Sequence, residues 1–203
     1  MEKVWYNRTM INILITGHPR SGTHYIANLL NALGHSCTYE KRNPNGFTAS
    51  WKHIKSGVFE PPCRETEIVC DFDKIIHQVR HPLKVIASST TLWTMSMIYM
   101  AQFIELPDPI VNRENTIKNC MVTWLKWNEF IEKKAVWRYR LEDLKYVNKE
   151  WCEQLEIPYC EIPNKSPVNT RKHIELNWSD LYKINTELTT EIRSKAFEYG
   201  YST

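Results

Sequence analysis

The sequence from Met10 to Gly34 reads MINILITGHPRSGTHYIANLLNALG, and this stretch decides the fold class. Met10–Thr16 is a short apolar run that stops before a glycine, as buried strands of parallel sheets do. Gly22–Leu33 follows with leucine and isoleucine at helical spacing, and Gly34 supplies a helix C-cap. The order of strand, tight turn and helix predicts a βα unit.

Strand and helix patterns continue to alternate along the chain. Further strands are predicted at Ser36–Glu40, Lys74–Val79 and Ala135–Tyr139. Helices are predicted from Pro82 to about Glu105, at Asn112–Lys134, near Lys149–Leu155 and at Ser179–Tyr199, with irregular segments at Asn43–Gly57 and Pro163–Asn177. This alternation predicts a three-layer α/β fold, with a mainly parallel sheet flanked by helices in a single domain spanning residues 1–203.

The composition is that of an ordinary globular protein, and the net charge limits the classes of partner that we expect. It has 203 residues, of which 42% are hydrophobic and 24% charged, with a net charge of +3. Such a mild charge argues against nucleic acid as a partner, although it permits a small polyanion. The apolar run Ile11–Ile15 is too short for a secretion signal or a membrane span, so we expect a cytoplasmic location. The six cysteines form no CxxC pair, which favours reduced thiols.

The turn after the first predicted strand has the composition of an anion site. Its frame is Gly17-x-x-x-x-Gly22, in which backbone N–H groups at a helix N-terminus face the ligand. Thr23 stands where a nucleotide triphosphatase carries lysine, and Arg20 supplies a cation inside the loop instead. Ser21 and Thr23 add hydroxyl groups. The alternative interpretation is a plain strand-to-helix turn.

A second anion signal lies in IHQVRHPLKVIASS, residues Ile76–Ser89. The predicted strand ends just before Arg80, at the edge where open α/β sheets bind ligands. Pro82 begins a helix, and Ser88 lies further along it on a face that can meet the same anion. The spacing of His77 and His81 is metal-like, but the pair straddles the strand end without other ligand types nearby, so we predict no metal site.

These two motifs, in this order, resemble those of the PAPS-dependent sulfotransferases (PAPS is 3′-phosphoadenosine 5′-phosphosulfate). GHPRSGTHYIANLL is similar to the family's 5′-phosphosulfate loop, although His24 stands where a second threonine is usual. The resemblance implies a P-loop-like, sulfotransferase-type fold. It also implies nucleotide contacts from the following residues: Arg20, Ser21, Gly22, Thr23 and His24 around the 5′-phosphosulfate, Tyr25 stacked on adenine, and Arg80 with Ser88 at the 3′-phosphate.

Two further segments resemble the family less closely. Arg171 and Lys172, followed by Trp178, are similar in order to a family loop that closes over the cofactor, with His173 in place of its glycine. The resemblance implies contact of both basic residues with the 3′-phosphate, and the alternative is a solvated basic pair. YRLEDL resembles a strand-end segment of the family, with Leu141 where tyrosine is usual.

The resemblance implies an enzyme that transfers a sulfuryl group from PAPS to a hydroxyl or amine and releases PAP, with no metal required. Arg20 is expected to stabilise the leaving phosphate. His53 is the first candidate for the general base, because a family histidine lies in the same interval, and Glu40 is the second.

The expected acceptor is a small molecule or a glycan. Two alternatives stay open: a P-loop-type nucleotide or small-molecule kinase, and a non-catalytic nucleotide-binding protein on the same fold.

Overall fold

The computed structural model of the protein describes residues 11–43, 45–52, 72–92, 94–106, 116–162 and 173–202. These residues form five strands and seven α-helices. Every neighbouring pair of strands in the sheet is parallel, which confirms the prediction of an α/β fold with a parallel sheet flanked by helices. None of the helices in these ranges is both long and apolar enough to cross a membrane.

The sheet has the strand order β2-β3-β1-β4-β5. Its strands are β1 (Ile13–Thr16), β2 (Cys37–Tyr39), β3 (Phe47–Ala49), β4 (Lys74–Val79) and β5 (Trp137–Arg140). The helices are α1 (Thr23–Ala32), α2 (Pro82–Ser89), α3 (Thr94–Met100), α4 (Thr116–Glu132), α5 (Asn148–Gln154), α6 (Trp178–Ile184) and α7 (Thr186–Glu198).

Strand β1 occupies the centre of the sheet, and all four of its residues are buried. It pairs with β3 on one side and with β4 on the other. The chain leaves β1 towards β2 and β3 and later returns to the opposite side to form β4. The carboxyl ends of β1 and β4 therefore flank the topological switch point, where open α/β sheets bind their ligands.

Helices cover both faces of the sheet. On one face, Ile15 and Ile76 pack in a core with residues of α1 and α5, among them Leu30 and Trp151. On the other face, Val79 packs in a second core with residues of α2, α4 and α7. The alternation of side chains along β4 thus divides its apolar residues between two cores, as expected for a strand buried on both faces.

Strand β3 lies inside a stretch that the sequence predicts to be irregular, so that prediction is wrong there. Parallel neighbours usually need a long crossover, but β2 and β3 are joined by residues 40–46 alone. Asn43 shapes this short connection, because its Nδ2 donates to the Ser36 carbonyl at 3.0 Å and its backbone N–H donates to Thr48 Oγ1 at 2.9 Å. Gly46 also fits closely, since a Cβ there would lie 2.7 Å from the Ser36 carbonyl oxygen.

Two predicted helices are each divided in the structure. The helix expected to run from Pro82 to about Glu105 ends at Ser89, and α3 begins separately at Thr94. The terminal helix is interrupted at Asn185, whose side chain accepts from the N–H of Leu188 at 2.9 Å and caps α7. Asparagine is a strong N-cap residue, so it starts a new helix where hydrophobic periodicity alone predicts continuity.

Candidate functional site

The anion loop (Gly17–Gly22) connects β1 to α1 at the switch point. Arg20 and Gly22 both adopt left-handed backbone conformations, with φ of 75° and 101°. The Ser21 N–H donates to the His18 carbonyl at 2.9 Å and closes the turn. Helix α1 begins at Thr23 without a side-chain cap. A left-handed turn leading into a helix N-terminus is the geometry that presents backbone N–H groups to anions.

The anion loop lies directly against β4. A Cβ on Gly17 would lie 2.2 Å from the backbone oxygen of Gln78. Any larger residue at position 17 would therefore collide with β4. Ser21 packs over the same glycine, because that Cβ would also lie 2.5 Å from Ser21 Oγ. The first glycine of the motif therefore sets the distance between the loop and its neighbouring strand.

Both sequence motifs meet at this point. Arg20 Nε donates to Ser88 Oγ at 2.9 Å, which joins the anion loop to α2. Arg80 Nη1 donates to the Arg20 carbonyl oxygen at 3.0 Å, which joins the loop to the end of β4. The structure thus brings the Arg20 side chain to the helix hydroxyl of Ser88 and the Arg80 side chain to the backbone of the anion loop. These residues come from separate parts of the sequence.

One hydroxyl group of the loop is buried without a partner. Ser21 is 1% exposed, and its Oγ makes no hydrogen bond to any residue that the structure describes. Burying an unpaired hydroxyl is unfavourable, so this group has an unused capacity to donate a hydrogen bond within the loop. This hydroxyl is a second polar feature of the loop besides its backbone N–H groups.

The first turn of α1 carries two of the predicted nucleotide contacts. The His24 ring lies against Tyr39, the last residue of β2, with 4.6 Å between ring centroids. Tyr25 is partly buried and packs against the core beneath α1, and this burial raises the pKa of its phenol. His24 and Tyr25 therefore face different neighbours.

Glu40 follows β2 at the carboxyl edge of the sheet. Its backbone has a positive φ of 53°. The Trp51 indole N–H donates to Glu40 Oε1 at 2.9 Å, and Lys52 Nζ lies 3.1 Å from Oε2. Trp51 is itself packed edge-on against Tyr99. The carboxylate is thus oriented by two donors from the segment after β3, within the same edge as the anion loop.

The junction between β4 and α2 is held from a neighbouring strand end. The backbone N–H of His81 donates to Glu142 Oε1 at 3.0 Å, and the Tyr201 hydroxyl donates to Glu142 Oε2 at 2.9 Å. His81 stacks edge-on against Tyr201, and burial lowers its pKa. Glu142 therefore fixes the position from which Arg80 reaches the anion loop.

Sequence reasoning missed two residues of the site. Gln78 is fully buried in β4, and its side chain donates to the Ser21 carbonyl at 2.6 Å. His18 is buried within the loop, where desolvation lowers its pKa to about 4 and keeps the ring neutral at physiological pH. The available signal for Gln78 was its polar side chain in a strand predicted to be buried, directly before the Arg80 motif.

Three predicted site residues lie outside the described part of the chain: His53, Arg171 and Lys172. Trp178, which follows the second of these segments, begins α6 with its ring 6.3 Å from that of His81. Among the described residues, no three His, Cys, Asp or Glu side chains are grouped so that they could hold a metal ion.

Comparison with known proteins finds no matching family model and no matching curated protein. The functional argument therefore depends on the geometry at the switch point: the anion loop, Arg80 and Ser88 beside it, and the oriented carboxylate of Glu40.

Proposed function

We propose that the protein is a PAPS-dependent sulfotransferase that passes a sulfuryl group to a hydroxyl or amine acceptor and releases PAP. The observation that carries the proposal is the junction of both anion motifs, where Arg20 contacts Ser88 and Arg80 contacts Arg20. PAPS carries phosphate groups at two ends of one nucleoside, so its site needs two neighbouring sets of donors.

The 5′-phosphosulfate fits the anion loop and the start of α1. The backbone N–H groups of the first helical turn and the Arg20 guanidinium supply donors there. The Ser21 hydroxyl stays a predicted contact, and it faces Gly17 in this structure. The 3′-phosphate fits Arg80 and Ser88, on the neighbouring strand end and helix. Arg171 and Lys172 remain predicted contacts of that phosphate.

The transfer step balances without a further reactant. A lone pair of the acceptor oxygen or nitrogen attacks sulfur, forming the new O–S or N–S bond. The bond between sulfur and the bridging oxygen breaks, and PAP departs with its electron pair. Arg20 stabilises the negative charge that develops on the leaving phosphate. The acceptor's proton passes to a general base.

Glu40 is supported as that base by its orientation. Trp51 and Lys52 occupy donor positions on its two oxygens and hold the carboxylate at the ligand edge of the sheet. A positioned base contributes roughly 100- to 10,000-fold to a rate. His53, which follows Lys52 directly in the chain, is the alternative base. The acceptor itself is proposed to be a small molecule or a glycan.

Thermal unfolding in the presence of nucleotides tests the proposal. PAP at about 100 times its dissociation constant should stabilise the fold by about 2.7 kcal/mol, with a chelator present in place of magnesium. For a chain of this length the expected rise in Tm is about 5–10 °C. A rise with ATP and magnesium but none with PAP would overturn the sulfotransferase in favour of a kinase. Incorporation of ³⁵S from labelled PAPS into an acceptor mixture then separates an enzyme from a nucleotide-binding protein without activity.

A further inference from the structure

A buried hydrogen-bond chain connects the anion loop to β5. The Gln78 side-chain N–H donates to the Ser21 carbonyl oxygen at 2.6 Å. The Tyr139 hydroxyl donates to Gln78 Oε1 at 2.5 Å. Gln78 and Tyr139 are direct partners in the parallel pairing of β4 with β5, and both are buried. This series of hydrogen bonds therefore connects the anion loop to β4 and β4 to β5.

The donors and acceptors in this chain have one consistent direction. The Ser21 carbonyl oxygen can only accept, so the amide nitrogen of Gln78 must face it. The amide oxygen then faces Tyr139, whose hydroxyl can donate to it. Because each polar atom of the Gln78 amide has a partner in the protein interior, its orientation is determined by the surrounding structure.

The contact with Ser21 also determines the direction of the next N–H. In a trans peptide the C=O and N–H groups point in opposite directions. Since the Ser21 carbonyl points towards Gln78, the N–H of Gly22 points away from it, on the outer side of the loop where α1 begins. A flip of this peptide would replace an N–H with a carbonyl oxygen at an anion site.

Gly22 makes such a flip sterically accessible. Its φ is 101°, and glycine populates both signs of φ with little penalty. A flip of the Ser21–Gly22 peptide turns φ of Gly22 and ψ of Ser21, and the φ of glycine offers little resistance to it. The backbone preference of Gly22 therefore does not select one orientation of this peptide, and a side chain that contacts the peptide can select it.

We propose that Gln78 is a positioning residue for the anion loop: its buried amide, held by Tyr139, keeps the Gly22 N–H directed at the bound 5′-phosphate. The inference rests on the proposed function, because that function supplies the phosphate. Gln78 does not touch the nucleotide and acts only through the Ser21–Gly22 peptide. The orientation is selected before the ligand arrives, which reduces the cost of organising the site on binding.

The first test replaces Gln78 by leucine, which keeps the approximate volume and removes the amide. Calorimetric titration should show PAP affinity lowered about 10- to 100-fold in Q78L relative to the unaltered protein, as expected when a donor to an anion is lost. Y139F should lower affinity by a smaller factor, because the Gln78 donor remains. Q102L, at an exposed glutamine, is the matched control and should leave affinity unchanged. PAP affinity in Q78L equal to that of the unaltered protein would overturn the proposal.

The pH dependence of PAP affinity in Q78E distinguishes a positioning role of Gln78 from a purely structural one. Burial beside the Ser21 carbonyl oxygen should raise the pKa of the introduced carboxyl group. Where the group is ionised it cannot donate to that oxygen, and PAP affinity should fall below that of Q78L. As pH decreases the carboxyl group gains a proton that it can donate. The affinity of Q78E relative to the unaltered protein should then recover, and a ratio that stays flat between about pH 9.5 and pH 5 would contradict the proposal even if Q78L fails to fold.

Inorganic pyrophosphate as a second ligand separates this inference from the proposed function. If the unaltered protein binds pyrophosphate but not PAP, the sulfotransferase proposal fails and the effect of Q78L on pyrophosphate affinity still decides the role of Gln78. If the unaltered protein binds neither ligand, both proposals are overturned. A loss confined to Q78L, with Q102L unaffected, supports the positioning role for either ligand.

Discussion

Arg20 Nε and Ser88 Oγ are 2.9 Å apart, although 68 positions separate the two residues in the sequence. The contact exists because β1 and β4 are neighbours in the sheet, so the loop after β1 reaches the helix after β4. It joins two motifs that would otherwise be separate turns. The proposed function assigns one phosphate group of the nucleotide to each of them.

Removing the hydroxyl of Ser88 should lower PAP affinity, whereas removing that of Ser89 should leave it unchanged. S88A removes both the Arg20 contact and a donor to the 3′-phosphate, so PAP affinity should fall about 10-fold or more. S89A is the matched control, because Ser89 is buried on the same helix but its hydroxyl has no partner among the described residues. Calorimetric titration of both variants measures the difference, and equal losses would contradict the assignment.

Removing the carboxylate of Glu40 should slow sulfuryl transfer while PAP affinity is retained. E40Q keeps the shape of the side chain but cannot take the acceptor's proton, so the rate of ³⁵S transfer from PAPS should fall at least about 100-fold. PAP affinity should change by less than about threefold. E153Q, at an exposed position of α5, is the control for the loss of one charge.

His53 is tested alongside Glu40 with H53A. Transfer that is near normal in E40Q and at least about 100-fold slower in H53A, with PAP affinity retained, would assign the base to His53. Loss of PAP binding in E40Q would instead place Glu40 in nucleotide recognition and remove it from the transfer step.

A methyl group at Gly17 should destabilise the fold more than one at Gly34. The Cβ of G17A would lie 2.2 Å from a backbone oxygen of β4, and relieving that contact requires β1 and β4 to separate. We expect a loss of about 3 kcal/mol or more. Gly34 has φ of 85° and nothing within 4 Å of its Cβ position, so G34A should cost only about 1–2 kcal/mol from backbone strain. Urea unfolding of both variants measures these values, and equal losses would contradict the close approach of the loop to β4.

Acid should destabilise the protein through two buried histidines. Burial lowers the pKa of His18 and of His77 to about 4, whereas an unfolded imidazole titrates near 6.5. Between about pH 6.5 and pH 4 the unfolded chain therefore binds protons that the folded chain does not, so stability falls as pH decreases. The slope is roughly 1.4 kcal/mol per pH unit for each histidine. Urea unfolding of H77Q across this range should show a shallower slope than the unaltered protein, and identical slopes would place His77 in a solvated environment.

Local sequence signals predicted the elements that carry the site. Lys74–Val79 forms β4 with the predicted bounds, and its apolar residues Ile75, Ile76 and Val79 together with its position before Pro82 carried that prediction. The glycine frame and Pro82 likewise marked the starts of α1 and α2. Short elements were harder to predict, since the position of β3 depends on the hydrogen bonds of Asn43 and on the close approach of Gly46 to Ser36 rather than on its own periodicity.

The contacts within the site depend on the order of strands in the sheet, which local sequence patterns do not predict. Arg20, Arg80 and Ser88 could be proposed from their motifs, but the Arg20–Ser88 bond requires β1 beside β4. Gln78 looked like an ordinary interior residue of a strand, because its partner Ser21 is distant in sequence. Long-range hydrogen bonds of this kind follow from tertiary structure, so local patterns could not predict them.

The most direct test compares binding of PAP with binding of AMP, which lacks the 3′-phosphate, by calorimetric titration with a chelator present. The account predicts one PAP per chain and at least about 10-fold weaker AMP, since it assigns Arg80 and Ser88 to the 3′-phosphate. R80A should remove most of this preference, while K84A, which deletes an exposed lysine of α2, should preserve it. Equal affinity for the two nucleotides, or no binding of PAP at all, would contradict the central claim.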